Sequence, residues 1–198
     1  MRFEPNFPPR SILLAVLAGA FLLPAVLAGT LRPDARFTLE ELEQAPELSP
    51  KQFANLFEEF AFEGSPIIRP PEQFLEERRG DCDDYAVLAG LVLAKHHYRT
   101  RCIQVLFASD NVGHAVCYVT ENKAYLDYNN RKYFVNLERS GQTIREIARK
   151  IAASFELEWT TAAEFTYSYE SMRKKLTLVV VKTDAPDRDP DRGRYDGR

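Results

Sequence analysis

Cysteine and histidine are both scarce in this chain, with three of each among 198 residues. Three cysteines are too few for a disulfide scaffold, and the odd count leaves at least one thiol unpaired within the chain. There is no CxxC and no HxxxH, the short-spaced ligand pairs that a structural zinc site needs. Basic residues form no stripe; they are mixed with acidic ones to a net charge of −3, so no nucleic-acid partner is expected. No internal repeat is visible.

What is present describes a soluble globular protein: 45% apolar and 28% charged residues, in a chain long enough for one real core but short for two. The first thirty residues differ in kind. Arg2 and Arg10 precede the apolar run 11–23, Pro24 breaks it, and Ala25-Val26-Leu27-Ala28-Gly29 follows. This is the pattern of a signal peptide cleaved after Ala28, with Val26 the one imperfect position. The rival reading is an uncleaved anchor, because the uncharged stretch 11–29 is just long enough to span a bilayer. No cysteine lies near the cleavage point, which argues against a lipid anchor. Either way the rest of the chain is expected to work outside the cytoplasm, in the periplasm, the medium or attached to the membrane.

Residues 29–44 read as a polar linker, 45–183 as the folded domain and 184–198, rich in proline, glycine and alternating charge, as a disordered tail. Ser49 and Pro50 open a helix whose stripe is Phe53, Leu56, Phe57 and Phe60, with Gly64 as its stop. A proline-bounded connection and a short helix over 71–78 lead to "RRGDCDDYAVLAG". From Asp84 to Ala94 nearly every residue is apolar, so that helix should be buried on all sides. Four β-rich runs follow, 101–108, 114–120, 124–128 and 133–137; then come an amphipathic helix carrying Ile144, Ile147 and Ile151, and two late strands. The expectation is an α+β domain, a buried helix packed on an antiparallel sheet.

The chemistry centres on Cys82. If Asp81 caps the helix, the thiol lies in its first turn, where unpaired N–H groups and the macrodipole favour a thiolate. Asp83 and Asp84 work against this, so a base or a cation must offset them. His114, after the flexible "SDNVG", is the candidate base, and Asp127 in "AYLDYNN" the candidate orienting group. A hairpin turning over Glu121-Asn122 pairs Val116 with Asp127 and leaves His114 a diagonal neighbour at roughly 7 Å. A four-residue loop keeps that relation; a three-residue loop turns Asp127 to the other face. Each residue also has a plain structural reading: aspartates cap helices, a free cysteine is usually a small core hydrophobe, and a histidine can be a turn residue. The combination in one order is what carries the functional reading. Cys102 and Cys117 lie inside β-rich runs and read as core, with a disulfide left open if their strands adjoin. His96 and His97 fit a cationic role at the helix C-terminus. Asp81, Asp83 and Asp84 are hard oxygen donors, but the stretch lacks the glycine and distal glutamate of an EF-hand loop.

"RRGDCDDYAVLAG", "GHAVCYV" and "AYLDYNN", in that order, resemble the Cys, His and Asp boxes of the bacterial transglutaminase-like cysteine proteinases, within the transglutaminase-like, papain-fold superfamily. The resemblance covers about residues 72–130. It implies a papain-like fold with Cys82 as nucleophile, His114 as general base and Asp127 as orienting group. It also implies a calcium ion on Asp81 and Asp83, with Asp84 as a third ligand, although the chemistry itself requires no cofactor.

The leading expectation is therefore an exported cysteine hydrolase that cleaves an amide bond of a protein or peptide in the cell envelope through a thioester. The alternatives are a transamidase and a non-catalytic peptide- or envelope-binding module on the same frame. Nothing in the sequence sets the oligomeric state.

Overall fold

The computed structural model describes residues 36–109, 113–133 and 136–183. The signal or anchor segment, residues 29–35 of the expected linker, and the tail all lie outside these. No helix among the described residues is long and apolar enough to cross a membrane.

Three short helices come first, α1 (Leu39–Gln44), α2 (Pro50–Asn55) and α3 (Pro71–Glu77). α1 corrects the linker expectation for residues 36–44. Thr38 and Glu41 form a capping box, and Phe37 and Leu42 are buried, so this polar-looking stretch is pinned by two apolar side chains. α2 begins at Ser49 as expected but stops at Asn55 instead of running towards Gly64. Tight i to i−3 turns at Leu56, Phe57 and Phe60 replace it. Tightening the backbone lets the phenylalanines converge: Phe57 lies 4.8 Å from Phe53 and from Phe60, and 5.1 Å from Tyr85. The stripe enters the core without a continuous helix.

A two-stranded parallel ribbon, β1 (Ala61–Phe62) with β2 (Arg79–Gly80), delivers the chain to α4 (Cys82–Lys95). α4 is buried along most of its length, and only Leu91 among its large apolar residues is exposed. The main sheet comprises β3 (Thr100–Phe107), β4 (Gly113–Val119), β5 (Ala124–Leu126), β6 (Leu137–Arg139), β7 (Trp159–Ser168) and β8 (Arg173–Val181). Its order is β6-β5-β4-β3-β7-β8, antiparallel throughout. β6 starts later than the expected run 133–137, and Tyr133 is exposed.

Strand alternation divides the interior into two layers. Ala115, Cys117 and Val119 face α4 and the aromatic cluster. Ile103, Val105, Val116 and Tyr118 face the second long helix, α5 (Ile144–Ser154), through Ile147 and Ile151. The result is the expected α+β arrangement, with α4 held at a fixed height on the β3–β4 pair.

Candidate active site

Asp81 caps α4 in an extended conformation, and its Oδ1 accepts the N–H groups of Asp83 at 3.0 Å and Asp84 at 3.3 Å. Asp84 Oδ2 in return accepts the Asp81 N–H at 3.0 Å. This capping box fixes the first turn around Cys82, which sits half-buried at the positive end of the helix.

His114 comes from β4. The hairpin closes with the Lys123 N–H on the Thr120 carbonyl, and Cys117, Tyr118 and Val119 pair with Leu126, Tyr125 and Ala124. Continued by one step, that register sets Val116 opposite Asp127, the arrangement derived for a turn over Glu121-Asn122. Asp127 leaves β5 to cap a 3-10 turn at Tyr128–Asn130, its Oδ1 accepting the Asn129 N–H at 2.8 Å. The same oxygen lies 2.9 Å from His114 Nε2, and the two residues are 3% and 4% exposed. The Cys82 side chain is also close enough to the His114 ring to raise its pKa. With Nε2 committed to Asp127, Nδ1 is the nitrogen left for sulfur. The other wall of the imidazole is Phe155, at the end of α5, with ring centroids 4.8 Å apart.

Burial alone would lower the His114 pKa. Hydrogen bonds and negative charge from Asp127 and Cys82 outweigh it and lift the pKa from 6.5 to about 10. The imidazole in this setting carries its proton at neutral pH. A protonated ring between a carboxylate and a sulfur can stabilise a thiolate and later give its proton to a leaving amine.

The three aspartates are each committed elsewhere. Asp81 Oδ2 accepts the Ser65 N–H at 2.9 Å. Asp84, fully buried, accepts the Arg69 N–H at 2.6 Å and pairs with the Arg69 guanidinium at 2.8 Å. Burial pushes the Asp84 carboxyl above its usual range, while hydrogen bonds from the Arg69 and Asp81 N–H groups pull it back. Asp83 takes Lys174 Nζ at 2.8 Å on both oxygens, and the same ammonium donates to Gln104 Oε1 at 3.2 Å and lies 4.8 Å from the Phe165 ring.

Calcium requires six to eight oxygens converging on one point. Among the described residues no three acids, histidines or cysteines converge in that way. In this structure the expected ligands Asp81, Asp83 and Asp84 are paired otherwise: helix capping and Arg69 occupy two of the carboxylates, and Lys174 neutralises the third. Arg69 and Lys174 thus offset the charge of Asp84 and Asp83 on either side of the helix mouth.

Sequence reasoning missed Arg69, Lys174 and Phe155. Arg69 carries a readable signal, a lone cation in the otherwise apolar "SPIIRPP". Lys174 and Phe155 carry none, since only the sheet order and the end of α5 bring them to the site. Away from it, His96 Nε2 meets the Leu42 carbonyl at 2.8 Å and ties the end of α4 to α1.

The model of a family described as a transglutaminase-like domain matches residues 45–157. No protein of curated function matches the chain. Among solved structures, calcium-bound LapG of Legionella pneumophila aligns with a TM-score of 0.41 at 18% identity, over 63% of this chain and 68% of that chain.

Proposed function

The chain belongs to the transglutaminase-like domain family, and from that premise we propose that it is a cysteine hydrolase in which Cys82 is the nucleophile, His114 the proton carrier and Asp127 the orienting group. One arrangement carries the reading: a buried imidazole bonded to Asp127, with the Cys82 side chain close enough to raise its pKa. Nucleophile, base and orienting group need this order of contacts whatever fold holds them.

In the proposed cycle the Cys82 thiolate adds to an amide carbonyl carbon. The Cys82 N–H, at the first position of α4, faces the oxyanion that forms. Collapse breaks the C–N bond, and the proton held by His114 goes to the departing amine, leaving a thioester. His114, now neutral, takes a proton from water as it attacks the thioester. The acid leaves, and thiolate and imidazolium are restored. Asp127 holds the ring throughout and remains ionised. Lys174 pairs with Asp83 and Arg69 with Asp84, which offsets the acidic charge beside Cys82. We read the substrate as a protein or peptide of the cell envelope, on the strength of the export pattern in residues 1–28.

The test is differential alkylation followed by turnover. Iodoacetamide should modify Cys82 much faster than Cys102 or Cys117 in the native protein, and Cys82→Ala should abolish hydrolysis of an unfolded protein substrate. Equal rates at all three thiols would overturn the reading. Adding a primary amine separates hydrolysis from transamidation, because only a transamidase would divert most of the acyl group to the amine.

A further inference from the structure

The other two thiols meet each other. Cys102 on β3 and Cys117 on β4 are direct register partners. Opposed residues of an antiparallel pair have Cα atoms roughly 4.5–5.5 Å apart, inside the span of about 4.4–6.8 Å that a disulfide bridges. Both side chains point to the same layer, Cys117 buried beneath α4 and Cys102 packed against that cluster. The Cys102 thiol is close enough to Cys117 to raise its pKa. Cys102 Sγ donates to the Ala86 carbonyl at 3.3 Å.

Gly90 supports the same point from the helix side. A Cβ at that position would stand 3.2 Å from Cys102 Sγ. Glycine weakens a helix interior, and here its bare backbone leaves the room that the sulfur occupies. Three elements are thus shaped around this pair.

We propose that Cys102 and Cys117 form a disulfide site, whose oxidation joins β3 to β4 beneath α4 and leaves Cys82 as the one free thiol. The oxidant is an exchangeable disulfide, RSSR. The thiolate of Cys102, the more accessible of the two, attacks one sulfur of RSSR and expels RS⁻. Cys117, as thiolate, then attacks the Cys102 sulfur of the mixed disulfide and expels the second RS⁻. Two protein thiols become one disulfide, RSSR becomes two thiols, and the protons pass to water or to RS⁻. Cys117 is the slow partner, because the neighbouring Cys102 thiol and its own burial both hold its proton on. Cys82 stays outside the exchange. Cys102 touches Ala86 and Gly90, one and two turns along α4 from Cys82, roughly 6–12 Å along the axis.

The pairing stands independently of the catalytic reading, and its test needs no substrate. The full chain is equilibrated with oxidised and reduced glutathione over a range of ratios, quenched with acid, denatured and alkylated. Under oxidising ratios the wild type should lose two hydrogens in intact mass, retain one alkylatable thiol that maps to Cys82, and yield a peptide pair joined at 102–117. Its thermal midpoint should rise by roughly 5–10 °C, the scale expected for closing a loop of about fifteen residues in a domain of this size. Cys102→Ser should abolish the cross-link; Cys117→Ala, which keeps the core apolar, should do the same if the serine variant folds poorly. Three alkylatable thiols at every ratio, or a cross-link that includes Cys82, would overturn the proposal.

Discussion

His114 Nε2 stands 2.9 Å from Asp127 Oδ1, and Asp127 is itself anchored by the Asn129 N–H on the same oxygen. The carboxylate is therefore positioned by its own backbone before the imidazole arrives. Its contribution divides into orientation, which a neutral amide can keep, and charge, which it cannot. Asp127→Asn should cost turnover less than Asp127→Ala, with the alanine variant losing about 10²- to 10⁴-fold, the usual scale for a disabled general acid–base. Steady-state kcat for the two variants checks this. Equal losses would mean that charge alone matters.

The same pair sets a pH dependence of stability. The folded-state pKa of His114, about 10, lies above its ordinary value of 6.5. Folding therefore binds a proton more tightly, and the stability gained is fully present below about pH 6.5 and lost as pH rises towards 10. Urea midpoints measured across that window should fall for the wild type. In Asp127→Ala, which removes the main group lifting the pKa, the fall attributable to His114 should shrink. Parallel curves for the two proteins would refute the assignment.

Lys174 offers a test of what compensates the acidic helix mouth. With Lys174→Met, Asp83 next to the nucleophile loses the ammonium that holds both its oxygens. Uncompensated negative charge disfavours a thiolate, so alkylation of Cys82 at neutral pH should slow by roughly three- to tenfold. Adding Asp83→Asn to Lys174→Met should restore the rate, because the offending charge is then gone. A chelator should leave the wild-type rate unchanged, and added calcium should not shift the thermal midpoint. A rise in midpoint with calcium would show that the aspartates reorganise around an ion.

How much of this could be read from the sequence depended on how local each cause was. The Ser49 cap, the buried α4, the hairpin register and the amphipathic α5 follow from residues within a few positions of one another, and each matches the structure. The His114–Asp127 contact was legible for the same reason, since it needed only the loop length of one hairpin. The early end of α2 was not, because tertiary aromatic contacts outweighed the helical stripe. Nor were the partners of the aspartates. Lys174 lies on β8 at the far edge of the sheet order from β6, and no periodicity in the chain announces that it will reach back to α4. The calcium expectation turns on that point: a donor set is visible in the sequence, and the cations that pair with it in this structure are not.

Gly80, two residues before Cys82, joins packing to the site. The requirement is steric, since no described glycine has a positive φ. A Cβ there would stand 2.5 Å from Asp84 Oδ2 and 2.6 Å from the Phe74 ring. Phe74 is fully buried, with Phe57, Phe60 and Tyr128 around it, so it has nowhere to go. Gly80→Ala should cost about 1–3 kcal/mol by overpacking, a fall in thermal midpoint of roughly 2–4 °C per kcal/mol for a domain of this size. If Asp84 gives way instead of the ring, its bond to the Asp81 N–H loosens and the first turn of α4 loses its lock. The two outcomes separate by measurement: overpacking lowers the midpoint and leaves Cys82 alkylation unchanged, whereas a displaced cap slows alkylation as well. A variant with wild-type midpoint and wild-type alkylation would show that the glycine is not required by either neighbour.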